Sequence, residues 1–365
     1  MPIWRTGMNK RFFTYLPDPL LSVLILLLMA YGLVVLYSAG SMVLVEKQAV
    51  RIFLALVGFY LITQIRPERF EQFTPMAYVG SIFLLVAVLL IGTKVKGAQR
   101  WLDLGITLQP SELCKITLPM MVAWIFRHAS LPPGWKHIMG ALVVIGLCVG
   151  LIYKQPDLGT SILIATSGMF VIYLAGISWK LIGGATLLGL LSTPVIWHFM
   201  HEYQRQRVLM FLNPEADPLN YGWNIIQSKI AIGSGGLGGK GWTEGTQTQL
   251  DFLPEHSTDF ILSVLSEEFG FIGVLLLFTL YLFIILRCLF IAQQAKNTFN
   301  RLLCGALTLI FFVYVVINAG MISGVLPVVG VPLPLVSYGG TSVLTLLASF
   351  GIITSVHSHK KLIQQ

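Results

Sequence analysis

The chain has 365 residues, of which 55% are hydrophobic and only 11% charged. A soluble domain carries about 25% charged residues, so disorder, a disulfide-built scaffold and most soluble folds are excluded. The 24 Lys and Arg outnumber the 16 Asp and Glu, for a net charge of +8. These cations are scattered over short segments between apolar runs, and no nucleic-acid surface is expected.

The apolar runs are about twenty residues long, the length a helix needs to cross a bilayer core. The first, Leu20 to Tyr37, follows Arg5, Lys10 and Arg11. It is too long for the apolar region of a signal peptide and reads as a retained span. In chain order the predicted spans are 19–38, 50–65, 76–93, 111–127, 137–153, 158–177, 179–200, 258–286, 302–324 and 336–356. The expected fold is therefore all-α: one polytopic membrane domain over 1–365, with ten transmembrane helices and one long loop, 201–257, between the seventh and eighth. Cys114, Cys148, Cys288 and Cys304 fall in or at the ends of apolar segments, without a CxxC pair or a His/Cys cluster. Free thiols are expected.

Orientation follows from the positive-inside rule. With the N-terminus inside, 13 Lys and Arg lie on the inner side and 7 in the outer short connections; four more belong to the long loop. Both termini are expected in the cytoplasm and the long loop outside. Four of the seven outer cations, Lys94, Lys96, Arg100 and Lys115, fall in or beside one connection, which suggests an anionic ligand there.

Long loops in compact proteins are usually functional. Loop 201–257 holds turns at Asn213-Pro214 and Asp217-Pro218, an amphipathic stretch from Trp223 to Ile232, and the run GSGGLGGKG at 233–241. That run lacks the glycine and hydroxyl of a Walker A loop. It is either a flexible turn at the membrane surface or a backbone cradle that brings Lys240 to a pyrophosphate.

A sharper signal stands at Asp259, where the long loop meets the eighth span. Ser257 or Thr258 can cap this helix, and a carboxylate in its first turn suits the helix dipole. The functional alternative is a partly desolvated carboxylate at the outer boundary, placed to take a proton from a hydroxyl or to hold a divalent cation. Ser263 and Ser266 follow on the same predicted face and argue for a cavity. Glu267 and Glu268 come about 12 Å further along by helical rise, where they must be protonated or paired. Glu112 and Lys115, at i and i+3, form a predicted ion pair in the fourth span, structural or functional. Arg100 and Trp101 fit either a phosphate and a sugar face or an interface anchor. Arg205 and Arg207 open the long loop as a solvated face or as a clamp for an anionic headgroup. Asp157 reads as a helix cap, and the proline-rich 327–334 as an extended connection.

Several of these stretches together resemble the SEDS family: GAQRWLDLG at 97–105, QPSE at 109–112, QPDLGT at 155–160, YQRQR at 203–207, residues 253–260, and PLPLVSYGG at 332–340. The connection 327–332 is more similar to the elongation branch than to the division branch, and the resemblance runs from about 20 to 357. It implies a ten-helix peptidoglycan glycosyltransferase that polymerises lipid II at the outer face of the bacterial inner membrane. It also implies Asp259 as the catalytic carboxylate and Glu112 with Lys115 in a central site. Its implied partners are a class B penicillin-binding protein and other proteins of the rod-shape elongation complex. Glycan extension needs a base and several cations for the leaving pyrophosphate; the candidates are Arg100, Lys115, Arg205, Arg207 and Lys240. Mg²⁺ or Mn²⁺ is an open option, with Asp259 as a ligand, and no organic cofactor is expected. A lipid II flippase and a non-catalytic scaffold of the elongation complex remain as alternative readings.

Overall fold

The computed structural model describes residues 15–95, 98–103, 107–155, 157–200, 202–213, 222–250, 252–253 and 255–360. Seven long helices come first: α1 (Pro19–Ala39), α2 (Met42–Thr63), α3 (Pro67–Ile91), α4 (Pro110–Phe126), α5 (Trp135–Tyr153), α6 (Leu158–Leu174) and α7 (Trp179–Phe199). Three shorter ones follow, α8 (Glu202–Leu212), α9 (Trp223–Ser234) and α10 (Thr246–Gln249). The long helices α11 (Ile261–Gln293), α12 (Thr298–Ile322) and α13 (Thr341–Lys360) complete the described chain.

Among the described residues, six helices are long and apolar enough to cross a membrane: α1, α3, α5, α11, α12 and residues Thr341–His359 of α13. Their outward faces carry exposed apolar side chains, such as Val23, Leu26 and Leu27 on α1. Such a surface suits hydrocarbon and not water. The core forms where α11 packs on α12 and α1, α4 on α3 and α6, and α13 on α2.

Helix α3 begins at Pro67, not 76, α11 runs to Gln293, past the expected 286, and α13 begins at Thr341, not 336; other features depart from the expectation as well. A small antiparallel sheet, β1 (Thr93–Val95), β2 (Ala98–Asp103) and β3 (Thr107–Leu108), joins α3 to α4, so the fold is helical with a β element. The long loop is largely helical, and α9 buries Ile225, Gln227, Ser228 and Ala231 against its neighbours. Helix α2 begins at Met42, not near 50; of the polar stretch Glu46–Lys47–Gln48 that reads as a connection, the first two residues are exposed and Gln48 is held inside the protein. Gln48 is 2% exposed, donates to the Ser337 carbonyl at 3.4 Å and accepts from the Gly339 amide at 3.3 Å. The Arg51 guanidinium lies 4.5 Å from the Tyr338 ring centroid.

Helix α11 is broken at Gly270, whose φ of 63° is left-handed. An added Cβ there would stand 2.3 Å from the Gly239 amide nitrogen. The run 235–241 is docked into this break: the amides of Lys240 and Gly241 donate to the carbonyls of Glu267 and Glu268 at 2.9 and 3.1 Å. Phe271 and Ile272 return amides to the carbonyls of Gly236 and Leu237. The glycine-rich run is thus a packed wedge and not a loose turn. Its Lys240 and Gly241 amides are committed to α11 and are not a phosphate cradle.

The non-helical stretch after α12 is held from three helices. Asn318 of α12 donates to the Val331 carbonyl at 2.7 Å, Tyr281 of α11 to that of Pro334 at 2.7 Å, and Gln48 of α2 to that of Ser337. Irregular backbone inside a membrane protein is tolerated where the protein satisfies it in this way.

Candidate active site

Asp259 does not lie in a helix. Helix α11 starts at Ile261 with Phe260 as its N-cap residue and no side-chain cap bond, so neither Ser257 nor Thr258 caps it. Residues 255–260 instead form a turn in which the amides of Thr258 and Phe260 donate to the Glu255 carbonyl at 3.1 and 3.3 Å. The stretch after α12 clamps this turn from one side. Ser337 Oγ donates to the Thr258 carbonyl at 2.5 Å and the Tyr338 amide to that of Ser257 at 2.9 Å. Asn318 Nδ2 donates to the Asp259 carbonyl at 2.8 Å. Asp259 is partly exposed. Its Oδ2 faces Gly330 (φ +80°), 3.4 Å from where a Cβ would stand.

The expected polar stripe below Asp259 is mostly internal. Ser263 is fully buried and shares a 2.7 Å hydrogen bond with Ser228 of α9, which donates on to the Ile322 carbonyl. Ser266 Oγ is turned back onto the Leu262 carbonyl at 2.6 Å, and the residue borders an apolar cavity of about 560 Å³ between α11 and α12. Glu267, fully buried, accepts from Lys240 Nζ at 2.6 Å and from the Thr246 amide and hydroxyl, both at 2.9 Å. Glu268 accepts from the Ser38 hydroxyl of α1. Both glutamates lie at the end of the short N-terminal piece of α11, because the helix breaks at Gly270.

Beyond the clamp, a second polar group sits between α4, α12 and α13. Lys115 Nζ donates to Glu112 Oε1 at 2.5 Å, and Thr345 Oγ1 of α13 donates to Glu112 Oε2 at 2.9 Å. The ammonium lies 4.9 Å from the centroid of the Tyr314 ring on α12. A cavity of about 30 Å³ beside it is lined by Lys115, Tyr314, Pro332, Ser337, Ser342 and Thr345, among others. Ser337 therefore touches both groups: its hydroxyl holds the Asp259 turn and its residue lines the Lys115 cavity.

The remaining predicted cations part company. Arg100, on β2, pairs with Asp157 at 3.4 Å with a third of its side chain exposed. Asp157 meanwhile caps α6 by accepting the Thr160 amide at 3.2 Å. Gly159, in the first turn of α6, packs against Val329, so this pair reaches the same connection as Asp259. Arg205 is drawn away: its Nε and Nη2 donate to the Trp197 and His198 carbonyls at the end of α7, at 3.1 and 2.7 Å. Lys240 is spent on Glu267. The side chain of Arg207 lies outside the described residues.

Sequence reasoning missed Asn318, Ser337, Thr345 and Tyr314. A lone amide in the apolar run 302–324 was the one available signal, since burying it unpaired would cost several kcal/mol (about 1–3).

Helical layers with exposed apolar faces, a polar site at one end and buried non-helical backbone define a polytopic integral membrane protein. A family model described as cell cycle protein, FTSW_RODA_SPOVE, matches residues 18–362, and the chain belongs to that family. It is 52% identical over 352 residues to peptidoglycan glycosyltransferase MrdB of Escherichia coli strain K12, covering 95% of each chain. It is 37% identical to a probable peptidoglycan glycosyltransferase FtsW of Trichlorobacter lovleyi, covering 94% of each. A solved structure described as "Structural coordination of polymerization and crosslinking by a peptidoglycan synthase complex" superposes with a TM-score of 0.83 at 32% identity, covering 93% of this chain and 97% of that one. The crystal structure of Thermus thermophilus rod shape determining protein RodA gives a TM-score of 0.71 at 28% identity, covering 93% and 96%.

Proposed function

We propose that this protein is a peptidoglycan glycosyltransferase that polymerises lipid II into glycan strands during lateral wall elongation, with Asp259 as its base. The observation that carries the site assignment is the clamp itself. One non-helical segment, 327–340, holds the Asp259 turn on one side and lines the Lys115 cavity on the other. A proton acceptor and a cation are thereby fixed about one rigid connection.

Strand extension joins a sugar hydroxyl to an anomeric carbon while a lipid-linked pyrophosphate departs. Asp259 takes the proton of the attacking hydroxyl. Lys115, and Arg100 from the β2 side, stabilise the charge that grows on the pyrophosphate. Glu112 keeps the Lys115 ammonium charged and in place, and Thr345 fixes Glu112. Among the described residues no cluster of three or more His, Cys, Asp or Glu could hold a metal ion alone. A Mg²⁺ or Mn²⁺ ion would thus rest on Asp259 and the substrate's own phosphate oxygens, where it would neutralise the leaving group.

In this reading the ten helices of 17 or more residues, α1 to α7 and α11 to α13, cross the inner membrane. Both termini face the cytoplasm, and Asp259 lies at the periplasmic boundary. A class B penicillin-binding protein supplies crosslinking within the rod-shape elongation complex. That the matched synthase complex is described as coordinating polymerisation with crosslinking supports such a partner.

The test is lipid II polymerisation by the purified protein with its penicillin-binding partner, wild type against Asp259→Ala at matched complex formation. Glycan from the wild type and none from the variant is expected. Glycan from both removes Asp259 from catalysis. Lipid II translocation without glycan from the wild type would turn the reading to a flippase, and neither activity to a scaffold.

A further inference from the structure

Asn318 is a fully buried amide on α12, four residues after Tyr314 and one helical turn from it. Its Nδ2 spends both hydrogens on backbone carbonyls from distant parts of the chain: Asp259 at 2.8 Å and Val331 at 2.7 Å. The orientation is dictated by chemistry, because a flipped amide would set its oxygen against two carbonyl oxygens. Oδ1 has no hydrogen-bond partner among the described residues. A buried acceptor left unpaired is costly, and the protein tolerates it to keep the two donors where they are.

The two carbonyls belong to the two walls of the candidate site. One is on the peptide that carries the Asp259 side chain. The other is next to Gly330, whose backbone faces Asp259 Oδ2. A single side chain therefore fixes the spacing between the carboxylate and the wall against which it lies. Ser337 and Tyr338 hold Thr258 and Ser257 from the same segment, but neither bond touches Asp259 itself.

We propose that Asn318 is a positioning residue for catalysis: its amide locks the Asp259 peptide and the Gly330–Val331 backbone at one separation and so presents the carboxylate to the attacking hydroxyl. This rests on the reading of Asp259 as the base. It adds a residue in a third helix, without substrate contact, on which turnover depends. Without the lock, Asp259 samples positions off the reactive geometry, and displacements of about 1 Å cost about 100-fold in rate. Substrate affinity, set by the cations, stays unchanged.

The experiment uses the full-length protein in complex with its penicillin-binding partner and lipid II as substrate. Asn318→Leu removes both donors at similar volume. Its kcat is expected to fall about 10- to 100-fold with KM within about two-fold of wild type, while partner co-purification and thermal midpoint show that the complex still assembles. Asn318→Asp keeps the shape and supplies a second readout. Its neutral acid donates one of the two bonds and its carboxylate none, so the lock is partly restored where this side chain holds a proton. The titratable or charged groups on this side of α12 are Asp259, whose carbonyl it holds, and Tyr314 one turn away, which interacts in turn with Lys115, Glu112 and Asp157. The activity of this variant relative to wild type is expected to rise as pH falls from about 8 to about 6, against the trend of a carboxylate base. Wild-type kcat in Asn318→Leu overturns the proposal. So does a parallel loss of kcat, lipid II affinity and thermal midpoint in both variants with an unchanged pH profile, which would make Asn318 a folding residue only. Asp259→Ala run alongside separates the two failures. If it polymerises, the base assignment falls and this inference with it; if it is inactive while Asn318→Leu turns over normally, the positioning role alone falls.

Discussion

Two aspartates stand near opposite ends of α11, about 40 Å of helix apart, and the protein treats them in opposite ways. Asp18 precedes α1 and is 1% exposed. Its Oδ1 accepts from the Leu21 amide at 2.9 Å and from Arg287 Nε at 3.1 Å; its Oδ2 accepts from Arg287 Nη2 at 2.6 Å, with His357 Nε2 at 3.2 Å. Burial pushes its carboxyl up, but the Arg287 hydrogen bond, the Leu21 amide and the charges of Arg287 and His357 together hold it below the ordinary value. At Asp259 the clamp acts on the backbone of the turn, through Asn318 and Ser337. A carboxylate saturated by fixed partners ties α1, α11 and α13 together. At Asp259 the fixed partners act on the peptide, and the residue as a whole is partly exposed.

The contrast breaks most sharply in paired substitutions. Asp259→Asn is expected to lower polymerisation by about 10²- to 10⁴-fold, the scale of a lost general base, with its thermal midpoint near wild type; a large drop in midpoint would make Asp259 structural. Asp18→Asn is expected to do the reverse: about 3 kcal/mol of stability lost, because Arg287 is left beside a neutral group, with activity per folded molecule retained. The pH dependence has a fixed sign. Because the folded pKa of Asp18 lies below the ordinary carboxylate value of 3.8, its contribution is complete above that value and lost as pH falls through the folded one. Thermal midpoints measured from pH 6 downward should fall more steeply in wild type than in Asp18→Asn. Gly270→Ala should cost about 2 kcal/mol, since a Cβ would strike Gly239 at a left-handed residue; an unchanged melting curve would mean that the 235–241 wedge is not packed as described. The smallest effect is expected at Arg205→Ala. Loss of its bonds to the end of α7 should cost about 0.5 kcal/mol and leave KM for lipid II within about two-fold. A large rise in KM would restore Arg205 as a headgroup clamp.

Helix positions were readable where hydrophobic length alone decides them. The predicted 19–38, 137–153 and 179–200 lie within two residues of α1, α5 and α7. They failed where polar residues are satisfied internally. Helix α2 begins eight residues earlier than expected: a hydropathy reading takes Glu46, Lys47 and Gln48 for a connection, but Gln48 finds its partners at Ser337 and Gly339 inside the protein. Of the candidate site, Asp259 and the Glu112–Lys115 spacing were visible, since a carboxylate at a span boundary and an i, i+3 pair are local patterns. Asn318, Ser337 and Thr345 were not, because each acts on a group more than 50 residues away or, at Val331, on backbone that carries no side-chain signal.

The sequence by itself determined that this is a many-helix membrane protein with a carboxylate at the edge of one span and a charged pair inside another. Apolar length and the cost of burying charge are properties of short stretches, and they do not depend on the rest of the chain. The tertiary structure decided which partner each polar residue takes. It gave Lys240 to Glu267, Arg205 to the end of α7 and Arg287 to Asp18, and it set Asp259 and Lys115 on either side of one clamped segment. A buried charge must find its partner wherever the fold brings one, and only the packed chain fixes where that is.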